Sequence, residues 1–382
     1  ISLFFSLFPY PYVKLLRRSY CCIASIKKIM RALLSAQHPL SMSLLLLLYY
    51  IMQRIKSILK RLLGKSRLRW IYLFRLLIKN TFIDGMLYYK HSMVFRQNTY
   101  NKIESKIILH YHSVEKGFLH ADFKFRFAED RVKELIQLLK NKEVLEHNKN
   151  TQIAAAYLSI CKYYERHQES NIDISDYYSF ADYEFFKKIS VLDVNNTIDF
   201  EKSIYFKNIN DNFLKFSNSR ASVRSFTGER IPFETINKVI ELAKNAPSVC
   251  NRQPTKVYYT DNIGKIKTIL EIQGGLRGYT EGISQLLIVA SDRNYFYSIG
   301  ERNQLYVDGG IFMMNLLYAL HYYEIAACPA HWGHNFSKDL QIQKEVNLSD
   351  SEKVICLIPI GIPKDNFKTT LSLRRNEVLK II

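Results

Sequence analysis

The chain has 382 residues, two to three times the size of a typical domain, so its length fits one large domain with an extension or two domains. Hydrophobic residues make up 48% and charged residues 23%, which excludes a wholly disordered chain. Six cysteines cannot supply a disulfide scaffold in a chain of this length, and Cys21 and Cys22 are adjacent. The other four, Cys161, Cys250, Cys328 and Cys356, are scattered, which is typical of a reducing compartment.

The net charge of +19 is concentrated at the N-terminus. Residues 1–83 carry fifteen Lys and Arg and no Asp or Glu, whereas the rest of the chain carries 39 basic and 35 acidic side chains. The body is therefore an ordinary mixed-charge protein, and we expect no nucleic-acid binding. The sequence begins with Ile, and Met30, Met42 and Met52 are possible internal starts. If Met52 is the start, residues 1–51 are not translated.

Two stretches of this N-terminal extension differ in character. Residues 32–53 carry no formal charge over a length close to the ~20 residues that span a bilayer, but Pro39 and several polar residues disfavour a transmembrane helix. Residues 52–80 place apolar side chains at helical spacing among Lys and Arg, namely Ile55, Ile58, Leu59, Leu62 and Leu63. This pattern predicts a basic amphipathic helix, either bound to an anionic membrane surface or docked on the body. We expect a cytoplasmic protein, with peripheral binding to the inner face of the membrane as the alternative.

Residues 84–212 are predicted to form a helical segment that packs on the body. Helical spacing is clearest in two apolar faces, formed by Val132, Leu135, Ile136, Leu138 and Leu139 and by residues 153–164. His110 and His112 stand near Glu115, but a lone cluster of this kind is more often structural, and no metal is expected. Residues 171–212 show no clear periodicity and are predicted to be a connecting segment.

Residues 213–382 alternate between helix and strand signals. Ile231 and Pro232 open a helix that stops at Ala246–Pro247, because the residue before a proline is disfavoured in a helix. Short β-rich runs follow at residues 257–259, 286–290 and 354–358. Residues 311–323 are apolar on nearly every side, which predicts a helix buried all round.

Three motifs in this region carry groups suited to binding. Arg220, Ser222 and Arg224 share one face of an extended segment, where two guanidinium groups and a hydroxyl suit a phosphate or a polyol, although such Arg pairs alone are more often surface charges. Residues 246–254 form an irregular loop bounded by prolines, which either positions donors and acceptors or serves as a helix-to-strand turn. Residues 372–375 are basic and compact.

Taken together, the motifs resemble those of the nitroreductase family of FMN-dependent oxidoreductases. The pattern R-x-S-x-R-x-F occurs at residues 220–226, and an I-P-x-x-x-I helix that ends in A-P-S-x-x-N-x-Q-P occurs at residues 231–254. The pattern D-G-x-x-x-x-x-N-L-L-x-A-L occurs at residues 308–320. The resemblance spans about residues 213–382, and the HSVEKG stretch in residues 101–120 is similar to a subgroup linked to bacterial surface-polysaccharide genes.

The resemblance implies an α+β, nitroreductase-like fold, in which helices flank a central, mostly antiparallel sheet and a helical N-terminal extension precedes it. It implies bound FMN, NADH or NADPH as electron donor, and a homodimer with flavin sites at the interface. The implied reaction transfers hydride from NAD(P)H through the flavin to a nitroaromatic, a quinone or another small acceptor. The flavin ring performs the hydride transfer, so no catalytic side chain is expected.

The matched motifs also imply cofactor-binding residues. Arg220, Ser222 and Arg224 would contact the FMN phosphate and ribityl chain, and Arg374 or Arg375 would complete the phosphate site.

The ring end of the cofactor would be bound by other motifs. Ser248, Asn251 and Gln253, with Pro247 in the same loop, would reach the flavin from the second subunit. Pro329 would pass near the isoalloxazine ring.

The chain departs from the family pattern at two places. Thr255 stands where an aromatic residue is common, and residues 326–334 replace a glycine-rich stretch, so reduction of nitro compounds is in question. Cys328, His331 and His334 have a spacing that zinc could use, but a flavin-side pocket explains them better.

Two alternative functions remain. One is a flavin enzyme that acts on a specific metabolite of cell-surface glycan synthesis, with nitro reduction incidental. The other is a non-catalytic, membrane-associated scaffold with the same fold. Retained Arg, Ser and Asn positions argue against the scaffold, because it would have no use for a phosphate pocket.

Overall fold

The structure is a computed structural model that describes residues 40–375 and 378–381. The chain forms two compact units, Ile1–Met86 and Leu87–Ile382. The three-part division expected at residues 83 and 212 stays a prediction.

One long helix, α1 (Leu40–His91), forms the described part of the first unit and ends just beyond it. Gly64 has φ 71° and ψ 160°, so α1 consists of two helical stretches joined at this glycine. Among the described residues, no helix combines the length and apolar character needed to cross a bilayer. Residues 32–39 and the side chains of the predicted apolar stripe lie outside the described part of the chain, and the amphipathic face stays a prediction.

A helical subdomain opens the second unit. Its helices are α2 (Tyr100–Gly117), α3 (Glu129–Leu139), α4 (Lys142–Glu146), α5 (Thr151–Glu169) and α6 (Phe180–Ile189). Helices α2, α3 and α5 share one apolar core, to which they contribute Ile107, Leu135 and Ile160, each fully buried. The side chain of Asn150 caps α5 by accepting a hydrogen bond from the Gln152 amide. The helical faces predicted at residues 132–139 and 153–164 lie in α3 and α5, and these predictions are confirmed.

The prediction that residues 171–212 merely connect is wrong. They contain α6, a strand β1 (Thr197–Glu201) and a short helix α7 (Lys202–Phe206). Strand β1 pairs antiparallel with a C-terminal strand, β7 (Asn366–Thr370). Its side chains are mostly exposed, so β1 shows no alternation of apolar and polar residues that would have revealed it.

The central sheet is entirely antiparallel. It comprises β2 (Thr255–Thr260), β3 (Gln285–Asp292), β4 (Ala326–Ala327), β5 (Ala330–His331) and β6 (Glu352–Gly361). The order is β2-β3-β6-β4, and β5 also pairs with β6. The strands predicted at residues 257–259, 286–290 and 354–358 lie within β2, β3 and β6 and are confirmed.

Helices cover both faces of this sheet. They are α9 (Phe233–Ala243), α10 (Ile263–Gln273), α11 (Gln304–Tyr322) and α12 (Phe336–Val346), and a short helix, α8 (Phe213–Ser219), packs against α11. In β3, Leu286 and Ile288 pack into the core shared with α10 and α12, whereas Leu287 and Val289 pack against α9 and α11. Because successive side chains of a strand point to opposite faces, β3 is buried along its whole length. The α+β fold class, with a mostly antiparallel sheet between helices, is confirmed.

The helix predicted at residues 311–323 lies in α11, but it is not buried all round in the single chain. Leu316 and Leu320 are buried, whereas Ile311 and Tyr322 are 40% and 44% exposed. One side of this apolar helix therefore lacks a covering within the described residues.

Candidate functional site

The segment that carries Arg220, Ser222 and Arg224 runs beside the edge of the central sheet. Its chain is non-helical and is anchored by the buried side chains of Val223 and Phe226. The Val223 amide donates a hydrogen bond of 3.0 Å to the carbonyl of Ala327 in β4. Phe226 and Pro363 form an isolated antiparallel bridge, and the Thr227 amide donates to the carbonyl of Ile362. The arginines therefore lie alongside the strand that leads to Pro329.

Arg220 and Arg224 share this region with Lys116, at the C-terminal end of α2. Burial lowers the pKa of Lys116, and the charges of Arg224 and Arg131 lower it further. All three cations act on the thiol of Cys328, whose pKa burial nevertheless raises. Within the described residues, none of the three forms an ion pair with a carboxylate.

The Nε atom of Arg224 is buried and has no hydrogen-bond partner in the described structure. Its Nη1 makes only a long contact of 3.5 Å with the carbonyl of Ser222. Buried polar groups are almost always hydrogen-bonded, so an unpaired guanidinium donor marks a place where an anion fits. Tyr279 and Arg224 line the same cavity. Burial raises the pKa of Tyr279 to about 12, and the charge of Arg224 acts in the opposite direction.

Behind Arg220, a buried histidine supports the end of α8. The side chains of Ser219 and His321 are joined by a hydrogen bond of 2.7 Å between Oγ and Nε2. The Ser219 hydroxyl donates its hydrogen to the carbonyl of Phe216, so its oxygen accepts from His321. Burial, reinforced by Arg220, lowers the pKa of His321 to about 4, and the ring is neutral.

The predicted loop at residues 246–254 is held in a defined conformation. The Ser248 hydroxyl accepts a hydrogen bond of 2.9 Å from the Gln253 amide, and the Gln253 side chain donates to Asn251 Oδ1 at 3.0 Å. Cys250, Asn251 and Gln253 all have φ near +50°, in the left-handed region. Pro247, Asn251 and Gln253 are exposed in the single chain.

Asp308 fixes this loop from the first turns of α11. Its buried carboxylate accepts the Val249 amide at 3.3 Å and the Gln304 side chain at 2.8 Å. The sequence pattern includes Asp308 but gives it no role. In the structure it is the residue that joins the loop to α11.

Arg252 and Glu301 form a second anchor that the sequence did not reveal. Their two-point ion pair has N–O distances of 2.9 and 3.0 Å, and both side chains are largely shielded from solvent. The Arg252 guanidinium also stacks over the rings of Phe296 and Tyr297. Asp308 therefore joins the loop to the first turns of α11, and Glu301 joins it to the turn before α11.

The C-terminal arginines differ from each other. Arg375 makes a two-point ion pair with Glu104 of α2, whereas the Arg374 guanidinium is exposed and donates to the carbonyl of Ser372. The Gln152 side chain donates to the carbonyl of Leu373 at 3.0 Å, which ties this segment to α5. Arg374 is thus the more available of the two for a phosphate, and the role of either stays a prediction.

The histidines considered as metal ligands have protein partners. His110 contacts Glu134 at 2.9 Å, and His334 contacts the carbonyl of Gln273 at 2.9 Å. His331 is exposed. In the part of the chain that the structure describes, no group of three or more His, Cys, Asp or Glu side chains could hold a metal ion.

Comparison with family models finds a similarity in the region that holds the arginine motif. The model of the nitroreductase family matches residues 218–276. No curated protein matches the chain significantly.

Several solved structures are similar to part of this chain. A nitroreductase-like protein from Streptococcus mutans is 21% identical, with a TM-score of 0.39 over 45% of this chain and 98% of its own. An FMN-dependent nitroreductase from Clostridium difficile is 17% identical, with a TM-score of 0.35 over 39% of this chain and 86% of its own. A nitroreductase family protein from Clostridium novyi is 20% identical, with a TM-score of 0.35 over 40% and 86%. Likenesses of this size carry no information about substrate or cofactor.

The link of residues 101–120 to polysaccharide genes stays a prediction, and so do the cofactor-binding roles of the individual residues. The resemblance of this chain to the nitroreductase family is confirmed by the family match over residues 218–276.

Proposed function

We propose that the chain is an FMN-dependent oxidoreductase that transfers hydride from NADH or NADPH, through bound flavin, to a small acceptor. The observation that carries the proposal is the buried, unpartnered Nε of Arg224, in a group of cations that no described carboxylate neutralises. Leaving a buried donor unsatisfied costs roughly 1–3 kcal/mol, so the arrangement favours a state in which an anion is bound.

The donor set fits the phosphate end of FMN. Two guanidinium groups, Arg220 and Arg224, offer charge-assisted hydrogen bonds, and the Ser222 hydroxyl suits the phosphate or the ribityl chain. Arg374 would add a further donor from the C-terminal segment. When bound, the flavin supplies the hydride-accepting and hydride-donating ring, while the protein binds, orients and shields it.

The ring end would meet an uncharged wall. Pro329 lies between β4 and β5, and the preceding Cys328 is anchored by its amide, which donates to the carbonyl of Pro359 at 3.1 Å. Because burial raises the Cys328 pKa, its thiol is neutral and adds no charge beside the ring. An uncharged surface of this kind would position the planar flavin ring without forming a covalent bond to it.

A homodimer would complete the site. Helix α11 leaves an apolar stripe uncovered in the single chain, formed by Tyr306, Val307, Ile311 and Tyr322, which are 40–52% exposed. A second copy packed on this stripe would bury it. The loop at residues 247–253 is fixed to the start of α11 by Asp308, so dimerisation through α11 would bring the exposed Asn251 to the flavin of the other subunit.

The visible absorption spectrum of the purified protein tests the proposal. We expect a yellow protein that releases FMN on denaturation and is bleached by NADH or NADPH. Arg224→Ala should weaken FMN binding more than riboflavin binding, because riboflavin lacks the phosphate. Arg230→Ala is the matched control, since Arg230 is exposed and paired with Asp261 outside this region. A colourless protein that fails to bind added FMN would overturn the proposal.

A further inference from the structure

A basic cavity of ≈ 410 Å³ lies where the end of α2 meets the loop after α10. Four cationic side chains line it, Lys116, Lys124, Arg131 and Arg277, and no Asp or Glu is among its lining residues. It adjoins a smaller cavity of ≈ 280 Å³ that Arg224 lines, and the two share His120, Lys124 and Tyr279. The cavity therefore adjoins the proposed flavin region, and Arg131 and Arg277 line it but not the cavity that Arg224 lines.

The four cations lack partners of opposite charge. None of them forms an ion pair within the described residues. Nearby cations do: Arg126 binds Asp176 and Glu129, and Lys133 on the same helix as Arg131 binds Glu129. Like charges held together without compensation destabilise the free protein, so their grouping around a cavity points to an anionic ligand.

The wall of the cavity is fixed by close contacts. The Tyr279 hydroxyl donates to the carbonyl of Lys116, and the rings of Tyr279 and His120 stack at 4.1 Å with an angle of 23°. Gly278 has φ +82°, and a Cβ atom there would lie 2.8 Å from the His120 ring. A Cβ atom on Gly117 would overlap the Phe127 ring at 2.0 Å. Gly278 therefore lets the loop after α10 approach His120, and Gly117 lets the end of α2 approach Phe127 in the segment before α3.

We propose that this cavity binds the phosphate group of a ligand that acts together with the flavin. The cations supply charge-assisted donors, and the stacked His120 and Tyr279 offer aromatic surface for a planar base beside them. The inference rests on the proposed function, in which two ligands carry a phosphate. They are the flavin nucleotide itself and the dinucleotide electron donor. The chemistry that the cavity recognises is the same in both cases.

The test uses the full chain and inorganic pyrophosphate as the probe, with binding measured by calorimetry. The double variant Arg131→Gln, Arg277→Gln removes two exposed cavity cations, and its pyrophosphate affinity should fall about tenfold to a hundredfold. The matched control, Lys133→Gln with Arg230→Gln, removes the same net charge outside the cavity and should bind as the wild type does. Equal affinity of the wild type and the cavity variant, or no binding to the wild type, would overturn the proposal.

Two further measurements identify the source of the phosphate. If the cavity holds the flavin phosphate, the cavity variant loses affinity for FMN but not for riboflavin. If it holds the donor, flavin content is unchanged and the KM for NADH or NADPH rises. Pyrophosphate binding requires neither flavin nor turnover, so a colourless protein whose pyrophosphate binding still depends on Arg131 and Arg277 would refute the flavin assignment and support the cavity.

Discussion

Arg375 and Glu104 form a two-point ion pair, in which Nη1 of Arg375 lies 2.8 Å from Oε1 of Glu104 and Nη2 lies 2.8 Å from Oε2. The Glu104 side chain is only 3% exposed, whereas that of Arg375 is 48% exposed. The hydrogen bonds to Glu104 raise the pKa of Arg375. This pair fastens the C-terminal segment to α2, the helix that ends at the basic cavity.

Replacing Arg375 should destabilise the fold. Arg375→Ala would leave the buried Glu104 carboxylate without its partner, and we expect the free energy of unfolding to fall by about 1–3 kcal/mol. Urea denaturation measures the change. Adding Glu104→Gln to Arg375→Ala should recover part of the loss, because the unpaired buried charge is then gone. If the single and double variants are as stable as the wild type, the pair does not contribute to stability.

The stability of the protein should depend on the protonation of His321. Its pKa is lowered from 6.5 to about 4 in the folded chain, so between these values the unfolded chain binds a proton that the folded chain does not. Stability should therefore fall as the pH decreases from about 6.5 to about 4, by a contribution of roughly 3 kcal/mol from this residue.

Thermal denaturation across this pH range provides the measurement. His321→Gln keeps a donor for Ser219 and cannot be protonated, so its stability should change less with pH than that of the wild type. His331→Gln, at an exposed position, is the control and should follow the wild type. Identical pH profiles for the wild type and His321→Gln would contradict the prediction.

A mixed dimer should distinguish the two halves of the proposed site. If Arg224 serves the flavin of its own subunit and Asn251 that of the other, an Arg224→Ala subunit paired with an Asn251→Ala subunit has one intact site and one doubly altered site. At limiting FMN it should bind about one flavin per dimer with wild-type affinity. The Arg224→Ala homodimer should bind FMN about tenfold to a hundredfold more weakly. A mixed dimer without a tight site would overturn the shared-site arrangement and leave the flavin proposal standing.

The N-terminal extension should bind anionic membranes. The described part of α1 beyond Gly64 carries exposed basic residues such as Lys65 and Arg69 and exposed aromatic residues such as Trp70 and Tyr72. We expect the full chain to sediment with anionic vesicles and to be released by high salt, because screening weakens the attraction. A chain without residues 1–83 should stay in solution and bind FMN as before. Equal sedimentation of both chains would refute the tether.

The sequence predicted the parts of the fold that show a local signal. Residues 286–290 of strand β3 form a continuous apolar run because both faces of the strand are covered, and this run predicts the position of the strand. Strand β1 was missed, since its exposed side chains carry no pattern and its pairing depends on β7, far away in the chain. The prediction that α11 is buried all round was wrong for its exposed side. An apolar side chain gives the same sequence pattern whether or not its own chain covers it.

The candidate site was predicted only where its residues lie together in the sequence. Arg220 and Arg224 belong to one short motif, whereas Lys116 comes near Arg224 only because the end of α2 contacts Tyr279 in the loop after α10. Arg374 and Arg375 are adjacent, so the sequence could not choose between them. The structure separates them because Glu104 binds one and not the other.

The anchored loop at residues 246–254 has a consequence for the kinetics of assembly. Left-handed backbone at a residue other than glycine costs of order 1–3 kcal/mol, so Cys250 and Gln253 keep this conformation only because Asp308 and the Arg252–Glu301 pair hold the loop. In the proposed homodimer, the loop would therefore need no rearrangement when a second subunit binds. Little conformational entropy remains to be lost on association, and the encounter of two folded chains can proceed as the docking of rigid surfaces.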